Sequence, residues 1–116
     1  MAVSVDEEIV KKIASFIREH NGQNTIVLDI SELNSWTDYF IVSTVTSSGH
    51  LRGLLNQLYD FIWKSGLDTQ CRHKKTEDEK WILLDCGNVI IHLMSEEARE
   101  FYNLEKLWFN GKPVSF

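Results

Sequence analysis

The segment 81–94 constrains this chain most, because it has the pattern of two short strands joined by a two-residue turn. Residues 81–85 and 89–94 are mostly apolar and partly β-branched, and Gly87-Asn88 between them is a favourable hairpin turn. Side chains alternate between the two faces of a strand, so this turn fixes the register of the pair. The sequence therefore predicts an antiparallel hairpin whose two faces can be assigned residue by residue.

The first face of the hairpin contains only apolar residues, paired as Cys86 with Val89, Leu84 with Ile91, and Ile82 with Leu93. The second face mixes large apolar residues with an acid and an imidazole, paired as Asp85 with Ile90, Leu83 with His92, and Trp81 with Met94. The first face must belong to the core. The second is typical of a protein–protein interface, where desolvated aromatic groups lie beside a few oriented polar groups.

An alternative for the second face is that helices cover it as well. In that case Trp81 is a core aromatic residue and the imidazole of His92 is satisfied internally. Residue types alone leave both possibilities open, although apolar patches on monomers usually indicate binding.

The rest of the chain predicts an α/β fold. Apolar residues at helical spacing indicate a helix from about Val5 to His20, which Asn21-Gly22 ends, and a second helix that ends at about Lys64. Further strands are predicted at 25–30, 39–45 and 67–73, a charged loop at 72–80, and a last helix capped by Ser95. We expect one domain over 1–109, a single mixed sheet of about five strands flanked by helices, and a short tail at 110–116.

Charge and composition narrow the choice of partner. The chain has 12 basic and 17 acidic residues and a net charge of −5, which argues against free nucleic acid as a ligand. A basic protein surface is a better partner for this acidic chain, because opposite charges speed and orient docking.

Two cysteines, Cys71 and Cys86, are not expected to form a disulfide framework. With no apolar stretch long enough for a membrane and an acidic N-terminus, the chain is expected to be cytoplasmic.

The turn 46–50, Thr-Ser-Ser-Gly-His, joins a strand to a helix and resembles the glycine-serine turn of nucleotidyltransferases. Those enzymes also need paired aspartates on the following strand to hold magnesium, and no strand after this turn carries such a pair. Ser47 and Ser48 are therefore interpreted as helix caps. A nucleotidyltransferase-like enzyme or nucleotide-binding sensor that uses Ser47, Ser48 and His50 is the alternative.

No metal or cofactor site is predicted. Four side chains of types that bind metals are present, but without the paired spacing of a structural zinc site: Cys71, His73, Cys86 and His92. We expect no catalytic residue and no cofactor.

Five blocks of sequence, taken in order, resemble the ribosomal silencing factor (Iojap-like) family. They are VLDISEL at 27–33, TDYFIV at 37–42, TSS at 46–48 with His50, WILLDCGNVIIH at 81–92, and R-x-F-Y-x-L-E-x-L-W at 99–108. The resemblance implies a fold similar to nucleotidyltransferases without their metal-binding carboxylates. It also implies a non-enzymatic protein that binds the large ribosomal subunit through its ribosomal protein number fourteen, blocks the small subunit and represses translation. A homodimer is a further implication.

The resemblance also points to particular residues. Trp81 occupies the position of a partner-contacting tryptophan in the family. On the geometry of the hairpin we extend the predicted partner-binding set to Leu83, Asp85 and Met94, with Asp85 as a contact for a basic residue of the partner.

Overall fold

The computed structural model describes residues 7–33, 37–64, 72–75, 81–86, 89–103 and 110–116. Within these residues the elements are α1 (Glu7–Glu19), β1 (Gln23–Asp29), β2 (Tyr39–Val45), α2 (Ser48–Lys64), β3 (Arg72–Lys75), β4 (Trp81–Asp85), β5 (Val89–Ser95), α3 (Glu96–Tyr102) and β6 (Lys112–Pro113). The predicted start of the first helix, at about Val5, lies outside the described residues.

The strands form one mixed sheet in the order β3-β4-β5-β2-β1-β6. β2 and β5 run parallel, with Tyr39 opposite Val89, and the other neighbouring pairs are antiparallel. The connection from β2 to β5 contains α2, as expected for a crossover between parallel strands. The predicted fold, a mixed α/β sheet flanked by helices, is confirmed.

The main core lies between one face of the sheet and the helices α1 and α2. Apolar residues at helical spacing line the inner side of each helix, and Ile13 of α1 and Leu58 of α2 are completely buried. From the sheet, Ile41, Leu84 and Ile91 reach the same cluster. Full burial of such a side chain contributes roughly 1.5–3 kcal/mol, so this layer fixes where the strands lie.

The helix α1 ends as its sequence predicts. Asn21 adopts a left-handed conformation with φ of 70°, and the N–H of Gly22 donates to the carbonyl oxygen of Ile17 over 2.9 Å. The chain can then turn directly into β1.

The hairpin register predicted from the two-residue turn is confirmed. Trp81 pairs with Met94, Leu83 with His92, and Asp85 with Ile90. At the turn, the N–H of Cys86 donates to the carbonyl oxygen of Val89 over 2.9 Å. The alternation of faces therefore holds along β4 and β5.

Three sequence predictions differ from the structure. The strand expected at 67–73 is found as β3 at Arg72–Lys75, within the predicted charged loop, while 67–71 lie outside the described residues. The tail is not wholly irregular, because Lys112 and Pro113 pair with β1. Cys86 is buried and belongs to a disulfide, contrary to the expectation from the cysteine count, and Cys71 lies outside the described residues. Each difference depends on which strands become neighbours, which spacing along the chain does not reveal.

Candidate docking surface on strand β4

Strand β4 carries three of the four predicted partner-binding residues at the surface. Its burial alternates: Ile82 and Leu84 point into the main core, whereas Trp81 and Leu83 are half-buried and Asp85 is exposed. Trp81, Leu83 and Asp85 therefore form a strip on the second face of the sheet, which we call the β4 strip. A strand within a sheet holds these side chains at fixed spacing.

Met94 is not part of that surface. It is 0% exposed and packs with Val42 of β2 and Ala98 of α3, while the indole of Trp81 lies against this cluster. Because α3 covers this end of β5, Met94 cannot contact a partner directly. The prediction of Met94 as a contact residue is wrong for this reason, although Met94 supports Trp81 from beneath.

On the second face of the hairpin, the residues of β5 are thus buried, whereas those of β4 reach the surface. Ile90 is also buried, in a small cluster with Leu28 and Phe40 against which Leu83 packs. Of the two possibilities for the second face, an open interface and a covered core, each therefore holds for part of it. The part that reaches the surface is the β4 strip.

The helix α3 is held in place over β2 and β5. At its start, the Oγ of Ser95 accepts the N–H of Ala98 over 3.1 Å, so the predicted N-cap is confirmed. Near its end, the guanidinium of Arg99 donates to the Oγ1 of Thr44 over 2.9 Å. These two anchors determine which residues of β5 are covered.

Trp81 is joined to His92 by a hydrogen bond. Its indole N–H donates to Nδ1 of His92 over 3.1 Å, and the two ring centroids lie 5.8 Å apart. On its other side, His92 makes an edge contact with Phe40 at 4.8 Å between centroids. Burial lowers the pKa of His92 to about 4, so the imidazole is neutral at neutral pH and can accept this bond.

The role of His92 was not predicted, but the sequence contained a signal for it. Once the register is fixed, Trp81 lies opposite Met94 and His92 is two residues away on the same strand. Diagonal neighbours of this kind lie within reach of a large aromatic side chain. An indole donor and an imidazole acceptor at a diagonal position indicate this hydrogen bond.

The turn considered for nucleotide binding uses its polar groups internally. The Oγ of Ser47 accepts the N–H of His50 over 3.0 Å, which confirms Ser47 as the cap of α2. His50 accepts the N–H of Thr46 at Nδ1 over 3.1 Å and donates from Nε2 to the carbonyl oxygen of His20 over 2.9 Å. Both imidazole nitrogens are therefore engaged in holding the fold.

Two further observations concern only the described part of the chain. It contains no group of three or more His, Cys, Asp or Glu side chains placed to hold a metal ion. Likewise, no helix in that part is long and apolar enough to cross a membrane.

Comparison with known proteins identifies the family. The family model described as "Ribosomal silencing factor during starvation" matches residues 4–115. The chain belongs to this family. The resemblance found in the five sequence blocks is thereby confirmed.

Relatives in this family occur in bacteria and in organelles. The chain is 31% identical over 107 residues to ribosomal silencing factor RsfS of Chromobacterium violaceum, covering 92% of this chain and 87% of that protein. It is 31% identical over 101 residues to mouse mitochondrial assembly of ribosomal large subunit protein 1, and 31% over 102 residues to the chloroplastic protein Iojap of maize. Those alignments cover 85% and 88% of this chain but only 44% of each relative.

Two solved structures share the fold of this chain. A crystal structure of a Chromobacterium violaceum protein superposes with a TM-score of 0.82 at 30% identity, covering 98% of this chain and 92% of that one. A second, from Bacillus halodurans, has a TM-score of 0.79 at 21% identity, covering 96% and 100%. At that lower identity the second likeness concerns the fold alone.

Proposed function

We propose that the protein represses translation by binding the large ribosomal subunit and sterically blocking its association with the small subunit. The contact is made with ribosomal protein number fourteen through the β4 strip. The protein acts as a binding factor and needs neither catalysis nor a cofactor. The proposal is supported by membership in the ribosomal silencing factor family, since the names of its relatives refer to the ribosome or to its large subunit.

The observation that carries the proposal is the half-buried Trp81 beside Leu83 and the exposed Asp85. Tryptophan is enriched among the residues that dominate binding energy, because its large ring loses much water-exposed area on docking. A carboxylate at the rim attracts and orients a basic partner. The negative net charge of the chain acts in the same direction.

The polar groups of the turn at 46–50 favour the binding factor over the nucleotide-binding alternative. Ser47 and His50 already hold the start of α2, so an incoming phosphate has to break existing hydrogen bonds. Calorimetry with ATP or GTP in the presence of magnesium is expected to show no binding. Tight, metal-dependent binding would favour the enzyme instead.

Co-sedimentation with purified large ribosomal subunits tests the proposed contact. The wild-type chain is expected to sediment with the subunits, and Trp81→Ala to weaken binding by at least tenfold, as for a buried aromatic anchor. Trp63→Ala is the matched control, because Trp63 is 66% exposed on α2, on the other side of the sheet. Equal binding by the two variants would refute the β4 strip as the contact.

A subunit-joining assay tests the consequence of binding. Adding the wild-type chain to large subunits before small subunits is expected to reduce the fraction of joined ribosomes, and Trp81→Ala is expected to restore it. Joining that is unaffected by saturating amounts of bound wild-type chain would rule out steric exclusion. Sedimentation of the chain alone reports whether it forms the homodimer that the resemblance implies.

A further inference from the structure

We propose that His92 is a positioning residue that fixes the orientation in which Trp81 meets its partner. This inference rests on the proposed function, in which Trp81 contacts the large ribosomal subunit. His92 is 3% exposed and acts only through Trp81, whose indole N–H donates to its Nδ1 over 3.1 Å.

The surroundings of His92 make it a rigid acceptor. It lies on β5, between β2 and β4, and its ring is held between the edge contact with Phe40 at 4.8 Å and the indole of Trp81. Trp81 by contrast is only half-buried, so part of its ring faces the surface. The hydrogen bond to His92 restrains the direction in which the buried edge of the ring points. Restraining one large side chain before binding corresponds to a roughly 2- to 10-fold lower Kd.

The two nitrogens of His92 are used unequally. Since Nδ1 accepts from Trp81, the proton of the neutral ring is on Nε2, and Nε2 has no hydrogen-bond partner among the residues that the structure describes. A buried donor without a partner is unfavourable for folding, and a leucine of similar size avoids that cost. Core stability therefore does not explain an imidazole here, whereas the acceptor that it provides for Trp81 does.

The direction of this hydrogen bond also determines which atoms of the Trp81 ring can contact a partner. The indole N–H, the polar atom of the ring, points inward to His92. The surface that remains for docking is therefore the carbon edge and face of the ring. A matching pocket on the partner is lined by apolar groups or by the aliphatic stems and charged ends of basic side chains, and it needs no acceptor for the indole.

Two variants of His92 separate positioning from packing. His92→Asn keeps an oxygen acceptor near the place of Nδ1, whereas His92→Leu has nearly the same size and no acceptor. In NMR spectra of ¹⁵N-labelled protein, the Trp81 indole signal, assigned by its loss in Trp81→Ala, is expected to move upfield and exchange faster in His92→Leu. His92→Asn is expected to retain much of the wild-type shift. In the wild type, scalar coupling across the hydrogen bond to Nδ1 of His92 is expected.

Binding to purified large subunits is then measured for each variant with and without Trp81→Ala. His92→Leu is expected to weaken binding severalfold when Trp81 is present and to have no effect in the Trp81→Ala background, while His92→Asn stays close to wild type. If Trp81→Ala itself binds normally, the proposed contact fails, and with it the role of His92. If Trp81→Ala weakens binding but His92→Leu does not, the contact stands and positioning is overturned.

If His92 only supports the fold, the same measurements give a different result. Equal weakening by His92→Leu in both backgrounds would show that His92 acts through the fold and not through Trp81. If His92→Leu does not fold, the proposal can still be tested by the scalar coupling between Trp81 and His92 in the wild type and by the binding of His92→Asn. Absence of the coupling, or binding by a folded His92→Asn variant as weak as that of Trp81→Ala, overturns the proposal.

Discussion

Nε2 of His50 lies 2.9 Å from the carbonyl oxygen of His20 and so joins the first turn of α2 to the end of α1. Nδ1 of the same ring accepts the N–H of Thr46. One side chain thus ties together the two helices that cover the main core. This connection explains why a histidine occurs at the start of α2 in a protein that we propose binds no nucleotide.

Replacing His50 by alanine is expected to lower the free energy of unfolding by about 1–2 kcal/mol, because two hydrogen bonds to the backbone are lost. Urea unfolding followed by circular dichroism measures this change. Arg52→Ala is the matched control, since Arg52 is exposed one position beyond Leu51 on the same helix. An unfolding midpoint for His50→Ala equal to that of the control would contradict the role of His50 as a tie.

Gly22 is expected to tolerate no side chain. A Cβ at this position lies 2.5 Å from both Cγ2 of Ile17 and Oγ of Ser43, at the close approach of α1 to the sheet. Gly22→Ala should therefore reduce the free energy of unfolding by about 2 kcal/mol or more.

Gly53→Ala is the matched control for Gly22→Ala, because a Cβ there meets nothing within 4 Å besides its chain neighbours and the backbone of its own helix. Gly53 is inside α2, where alanine is preferred, so this change is expected to stabilise the protein by about 0.5–1 kcal/mol. The two substitutions should thus shift the urea midpoint in opposite directions. A shift of the same sign would contradict the packing at Gly22.

Asp85 is expected to contribute to docking through its charge. Asp85→Asn should weaken binding to large subunits severalfold at low salt, mainly by slowing association, and the loss should shrink as salt screens the interaction. Association rates at two salt concentrations measure this. Asp60→Asn makes the same chemical change on α2, where Asp60 pairs with Lys64 over 3.0 Å, and should have little effect. Equal losses for both variants would indicate that total charge matters and not the position of Asp85.

Protonation of His92 should destabilise the folded protein. Its pKa is lowered by burial to about 4, so between that pH and the ordinary value of 6.5 the unfolded chain binds the proton and the folded chain does not. This cost is absent above pH 6.5, grows as the pH falls from 6.5 towards 4, and is complete below about 4, where the folded chain also binds the proton. The full loss amounts to roughly 3 kcal/mol.

The contribution of His92 can be isolated from that of the other titrating groups. The wild type and His92→Leu are unfolded in urea at several pH values between 7 and 4. Their difference in free energy of unfolding is expected to shift in favour of His92→Leu as the pH falls. A constant difference over this range would show that His92 does not titrate with a lowered pKa.

Much of the fold follows from local patterns. The register of the hairpin comes from a two-residue turn and the alternation of side chains, and it is found as predicted from Trp81–Met94 to Asp85–Ile90. The caps by Ser47 and Ser95 likewise follow from the preference of hydroxyl side chains for helix starts. By contrast, the charged residues Arg72–Lys75 form an edge strand, because pairing with β4 outweighs their low strand propensity.

The sequence by itself determined which residues of β4 and β5 share a face, since that depends only on a period of two. It could not determine which half of the second face reaches the surface. That outcome depends on where α3 packs. Ala98 of α3 covers Met94 and Val42, and the hydrogen bond from Arg99 to Thr44 holds the helix there. The β4 strip remains uncovered by these contacts. Such contacts join residues distant in sequence, so only the tertiary structure decides that Met94 is core and Trp81, held by His92, meets the surface.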